Sequence, residues 1–177
     1  LFCQANLWFL INYLEQLGRA GFLYRVFPLV RSEAERWNEF GGLSVNEMRA
    51  SYEKRVALTK ADVALAENLW NAYATGNFKT LQSLATTPTS AFHDLDKVVQ
   101  AHIDRFPKAG ELGRPQRILK EIMDSGVTDF NKLFPAFFRR EGIYGFGDVQ
   151  VKSMLVNFSC GRFTTKWAKT KNNDNER

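Results

Sequence analysis

The chain has 177 residues, a net charge of +5 and 45% hydrophobic residues, including 15 Phe. That suits one domain, or one domain with a small satellite, able to bury a core without covalent staples. Two cysteines, Cys3 and Cys160, make no disulfide framework and point to a reducing cytoplasm, and the charge is too mild for a broad nucleic-acid-binding face.

The uncharged run from Leu1 to Leu14 is shorter than the ~20 residues a bilayer span needs, and it contains Gln4, Asn6 and Asn12. No basic region or small-residue cleavage site marks a signal peptide, so a soluble, cytoplasmic protein without a membrane partner is expected. Leu7, Trp8, Leu10, Ile11, Leu14 and Leu17 recur at helical spacing, while Phe2 and Phe9 cover other faces. A helix this apolar is expected to be covered on more than one side. Phe22 to Phe27 (FLYRVF), closed by Pro28, reads as a strand. A lone strand needs a ladder partner, supplied either by chain preceding Leu1 or by a later segment. The expected fold class is mainly α with one or two short strands, the C-terminal part of an α/β protein.

Leu29 to Gly42 is a polar loop. Ser44 and Glu47 then form a capping box, predicting a helix to about Arg55 with Val45, Met48 and Tyr52 on one face. Thr59 to Asp62 caps a second helix with Val63, Ala66, Trp70 and Tyr73 inward, stopped at Gly76. Phe78, Leu81 and Leu84 mark a short helix. Thr86 to Ser90 is linker-like, so residues 1–85 and 86–177 are expected as two portions, the second ending in a disordered basic tail.

The next helix is expected from Ala91 to Phe106, with Phe92, Leu95, Val99, His102 and Phe106 as its stripe. Pro115 suits the first turn of another, whose face is Ile118, Leu119, Ile122 and Met123. Thr128 is expected to cap a segment rich in Phe, kinked or split at Pro135. Gly145 and Gly147 precede Asp148, the expected cap of a helix carrying Val151, Leu155 and Phe158. Arg162 to Trp167 reads as an edge strand. This last third has the helix–helix–helix–strand order of a winged helix, but the supposed recognition helix offers only Lys152 as a base, which disfavours nucleic acid as a partner.

His93 and His102 are the only imidazoles, and nine residues apart on one helix they face opposite ways. With no metal-ligand spacing elsewhere, no metal site is expected and no cofactor is indicated. His102 lies on the apolar stripe beside Arg105, which suits either a satisfied core histidine or a cleft residue. The glycine turn before Asp148 lacks a P-loop lysine, and the capping carboxylate occupies the place of an anion. Asp94/Asp96 and Glu33/Glu35 read as surface pairs.

The order of F-C-Q-A-N-L-W-F-L, G-G-L-S-V-N-E-M-R, L-W-N-A-Y, A-H-I-D-R-F-P, L-G-R-P-Q-R-I-L and Y-G-F-G-D resembles bacterial proteins carrying "domain of unknown function 1835", over nearly the whole chain up to about Leu155. The resemblance implies a preceding sheet-forming segment with an acidic residue, and polar positions at Gln4, Arg55, Arg105, Gly147 and Asp148. Pro115 and Gln116 depart from the family's T-E-R-Q. It implies organisation and no established activity.

The leading expectation is a binding or regulatory module for a small anionic ligand. Its site would gather Gln4, Asn6, Arg55, His102, Arg105 and Asp148, because guanidinium groups match carboxylate or phosphate as a fork. The alternatives are an enzyme on a phosphorylated or nucleotide-like substrate and a winged-helix nucleic-acid binder.

Overall fold

In the computed structural model, which describes residues 2–38, 40–108 and 110–159, the chain forms α1 (Phe2–Gln16), β1 (Tyr24–Arg25), α2 (Val45–Glu53), β2 (Val56–Ala57), α3 (Lys60–Ala74), α4 (Phe78–Leu84), α5 (Leu95–Asp104), α6 (Arg114–Asp124), α7 (Phe130–Glu141) and α8 (Asp148–Ser159). The chain is thus mainly helical, as expected, with one pair of short antiparallel strands among the described residues. It divides into two compact units, Leu1–Gln100 and Ala101–Arg177, and the division falls within α5.

In the first unit, α1 packs on α3 and α3 on α4. Ala5, Trp8 and Ile11 of α1 and Val63, Ala66 and Leu69 of α3 are buried. The Trp8 ring meets Tyr73 edge-on at 6.2 Å. The predicted capping box at Ser44 is present, and the predicted cap at Thr59 is a capping box as well. Glu47 N donates to Ser44 Oγ and Ser44 N to Glu47 Oε2, while Asp62 N donates to Thr59 Oγ1 and Thr59 N to Asp62 Oδ2. Each satisfies two backbone donors that a helix start would otherwise leave unpaired.

Several expectations change. α1 is buried along one side only: Phe9, Leu10 and Tyr13 are 45–49% exposed. The strand is cut to two residues, because Ala20–Phe22 forms a 3-10 turn and leaves Phe22 almost wholly exposed. Its ladder partner is Val56–Ala57, with Tyr24 opposite Ala57 and Arg25 opposite Val56. Those two residues were expected in neither a helix nor a strand. Val45, Met48 and Tyr52 of α2 are exposed, and Ser51 is the buried residue of that helix. The predicted start of α5 at Ala91 fails because Asp94 takes a φ of +54°, outside the right-handed helical region. His93 therefore precedes the helix that carries His102. Asp94 is no surface acid either, since it binds Arg36 and Lys97.

In the second unit, α6 packs on α7. Leu119 and Ile122 of α6, Leu133 and Phe137 of α7 and Val151 of α8 form its core. α7 runs as one helix through Pro135. The proline removes a donor to the Asn131 carbonyl, but its fixed φ is already helical. The cap of α7 is Asp129, not Thr128: its Oδ1 accepts from Asn131 N at 3.0 Å. The expected strand at Arg162 to Trp167, the basic tail and Cys160 lie outside the described residues, so the winged-helix order is not confirmed. No helix among the described residues is long and apolar enough to cross a membrane.

Candidate functional site

The first unit holds a cavity of about 110 Å³ between α1, the β1–β2 pair and Phe92. Leu7, Leu10, Ile11 and Leu14 contribute one wall, at the spacing that places them on one helix face. Leu23, Tyr24, Arg25 and Leu58 contribute the wall from the strands. Ile11 and Phe92 are each 2% exposed and form the floor; Leu10 and Tyr24, about half exposed, stand at the mouth. Arg25 is the one charged residue of the lining. Its guanidinium lies over the Phe27 ring, 5.1 Å from the centroid, and Phe27 stacks on His93 at 3.7 Å.

Three predicted site residues belong to this unit. Arg55 is exposed and sits over Tyr24 at 5.2 Å and Tyr52 at 4.4 Å, so it contacts a residue of the cavity mouth without lining the cavity. Gln4 Oε1 and Trp8 Nε1, one turn apart on α1, are buried with no hydrogen-bond partner among the described residues. Asn6 is exposed. Arg25 was missed in the sequence. Its only signal was a charge interrupting the apolar run FLYRVF.

His102, Arg105 and Asp148 belong to the second unit. His102 is buried, with the Phe106 ring edge-on at 5.3 Å. Burial and the nearby Arg105 charge push its pKa down to about 4. Asp148 is the first residue of α8; it is exposed, and its carboxylate pairs with Lys152 at 3.0 Å. Lys152 also lies 4.7 Å from the Phe130 ring centroid, so the one base of the supposed recognition helix is already engaged.

The same unit contains a partly buried ionic cluster that sequence reasoning missed. Arg114 Nε lies 3.2 and 3.0 Å from the two Glu141 oxygens, and Arg114 Nη1 lies 3.9 Å from Asp104. Glu141 is only 4% exposed. Burial pushes its carboxyl above the ordinary value, although Arg114, Arg140 and Arg117 pull the other way. Tyr144, wholly buried, donates its hydroxyl to the Ala101 carbonyl at 2.9 Å, and its phenol is shifted upward by burial. A buried carboxylate, a phenol and arginines within one unit are groups able to hold an anion or move a proton. Among the described residues no His, Cys, Asp and Glu cluster is arranged to hold a metal ion.

Fold and sites define a mainly helical chain with an apolar cavity that has one arginine in its lining in one unit, and an ionic cluster around the buried Glu141 in the other. Comparison with protein-family models, curated proteins and solved structures finds no match for the chain.

Proposed function

We propose that the protein is a binding or regulatory module for a small anionic ligand, and that the ligand enters the first unit's cavity. One observation carries the reading: seven leucine, isoleucine and phenylalanine residues, with Tyr24 and a single arginine, Arg25, line a space of about 110 Å³. Small-molecule sites typically have this composition, apolar walls with a few polar groups that fix orientation. A buried carboxylate or phosphate needs a charged partner, and Arg25 is the charged residue of the lining. The test is a thermal-shift screen of the full chain with carboxylates, phosphates and nucleotides. An anion that binds the folded state raises the midpoint in proportion to its occupancy. Arg25→Met is expected to remove that rise, and a screen without any shift overturns the reading.

Glu141 favours a second reading, an enzyme on a phosphorylated or nucleotide-like substrate. A carboxyl raised by burial next to an arginine is suited to acid–base work. Phosphate release from phosphomonoesters and nucleotides, measured with the full chain and with Glu141→Gln, tests it. No turnover, or turnover unchanged by the substitution, removes that assignment.

A further inference from the structure

We propose that two copies of this chain pair through the exposed side of α1, laid antiparallel across a two-fold axis near Leu10. The proposal goes beyond the ligand reading and does not depend on it. It starts from a stripe without charge. At 3.6 residues per turn, Cys3, Asn6, Phe9, Leu10, Tyr13 and Gln16 share an arc of roughly 140°, and all six are exposed. Leu17 N donates to the Tyr13 carbonyl at 3.2 Å, so the helical turn carries on and Leu17 joins the arc. None of these residues is charged. The other side of α1 is already used: Ala5, Trp8 and Ile11 are buried, and α1 packs on α3.

Charge decides what can cover the stripe. A nucleic acid or an acidic protein is drawn to cations, and the stripe has none. A helix that lies on a lipid surface usually carries Lys or Arg along its polar face, and α1 contains neither. A second copy fits better. The chain has a net charge of +5, so two copies repel wherever their cations meet, and an uncharged face is where they can approach. In a two-fold pair the same patch meets itself, and a patch without charge is complementary to itself. Reversing the stripe sets each Leu10 against its counterpart and Cys3 opposite the second copy's Leu17.

Size and order agree with this. Phe9, Leu10, Tyr13 and Leu17 are each about half exposed, which leaves roughly 350 Å² of apolar side chain in water on one stripe. With Cys3, Asn6 and Gln16 around them, the stripe comes to roughly 500–600 Å², the lower end of what each partner buries in a specific pair. The rings are held before any pairing: Tyr13 stacks on Phe9 at 6.1 Å, and Phe9 leans on Trp70 at 4.9 Å. Aromatic anchors already in place lose little side-chain freedom on association.

Sedimentation equilibrium of the full chain, from about 1 µM to about 1 mM, tests the pairing. A reversible doubling of mass is expected, with a Kd of roughly 10–100 µM. Leu10→Glu and Leu10→Lys each set like charges face to face at the axis, and each is expected to weaken pairing at least ~10-fold. Their equimolar mixture sets opposite charges there and is expected to recover the doubled mass, which also shows that both variants fold. Val149→Lys, an exposed substitution in the second unit, is expected to leave pairing unchanged. A chain that stays monomeric at ~1 mM overturns the proposal. So does a monomer that sediments with phosphatidylcholine–phosphatidylglycerol vesicles instead. Pairing that persists in both Leu10 variants, or that their mixture fails to recover, overturns the choice of face. Growth beyond a dimer overturns the two-fold arrangement.

Discussion

Arg36 and Asp94, 58 residues apart, are joined by two parallel hydrogen bonds, Nε to Oδ2 at 2.9 Å and Nη2 to Oδ1 at 2.8 Å. Lys97 Nζ adds a contact at 3.2 Å. Asp94 holds this position with a φ of +54°, a conformation that aspartate tolerates better than most residues. Burial pushes its carboxyl up, but the bonds from Arg36 and Lys97 prevail and hold it below the usual range. Asp94→Asn, which keeps the backbone tolerance and loses the charge, is expected to cost about 1 kcal/mol; Asp94→Ala is expected to cost about 2–3 kcal/mol. Urea unfolding of the two variants measures the difference, which isolates the backbone contribution. The native pair's stabilisation is complete above the ordinary aspartate pKa and fades as pH falls through the lowered one.

His102 gives a second pH dependence. Its folded pKa, about 4, lies below its ordinary value of 6.5, so the folded state binds the proton less well than the unfolded chain does. Stability is therefore complete above about pH 6.5 and declines as pH falls toward 4, by about 3 kcal/mol in all. Unfolding midpoints from pH 7 to pH 4 should show this slope. A His102→Gln chain should show a flatter one, and an imidazole NMR titration with an ordinary midpoint would remove the explanation.

Arg114 and Glu141 should be unequal under substitution. Arg114→Met leaves the Glu141 carboxylate buried without the guanidinium that contacts it, with only the more distant charges of Arg140 and Arg117 remaining, a change expected to cost about 3 kcal/mol near neutral pH. Glu141→Gln leaves a neutral amide and an arginine with some access to water, and should cost less than half as much. The Glu141 carboxyl is raised, so the Arg114→Met chain should regain stability on mild acidification as that carboxyl takes up a proton. Equal losses for the two variants would show that the pair does not share the burial inferred from its geometry.

Gly113 is constrained by proximity alone. Its φ is an ordinary −61°. A Cβ placed there would lie 2.1 Å from the Arg105 carbonyl oxygen and 2.7 Å from its carbon. Both are backbone atoms, so the relief a flexible side chain would allow is missing. Gly113→Ala is expected to cost about 2–4 kcal/mol by displacing the chain where α6 begins. Gly145→Ala meets open space and only the strain of its φ of +63°, so its cost is expected to be near 1 kcal/mol. Thermal midpoints of the two variants compare them directly.

The candidate site was less legible than the fold. Arg55 was singled out as a cation near α1, and it stacks on Tyr24 at the cavity mouth. The cation in the lining is Arg25, within a strand whose partner, Val56–Ala57, is too short to give a periodic signal. Asp94 read as a surface acid because it and Asp96 face different directions and form no site together. Nothing local shows that Arg36 will meet it.

The amino-acid sequence by itself determined where most helices start and stop. Capping boxes at Ser44 and Thr59, the stop at Gly76 and the apolar spacing of Leu119, Ile122, Leu133 and Phe137 act within one or two turns, and they kept their meaning in the folded chain. Only the tertiary structure decided which charged residues are interior. Glu141 ends the run Phe137 to Glu141 beside two arginines and resembles any solvated helix end. It is buried because Arg114, 27 residues away, reaches its carboxylate. The cavity is of the same kind: α1 supplies nearly half of its wall, and the short strand pair with its flanking residues and Phe92 supply the rest. Burial and electrostatics depend on distances in space, and those follow from how helices pack rather than from which residues adjoin in the chain.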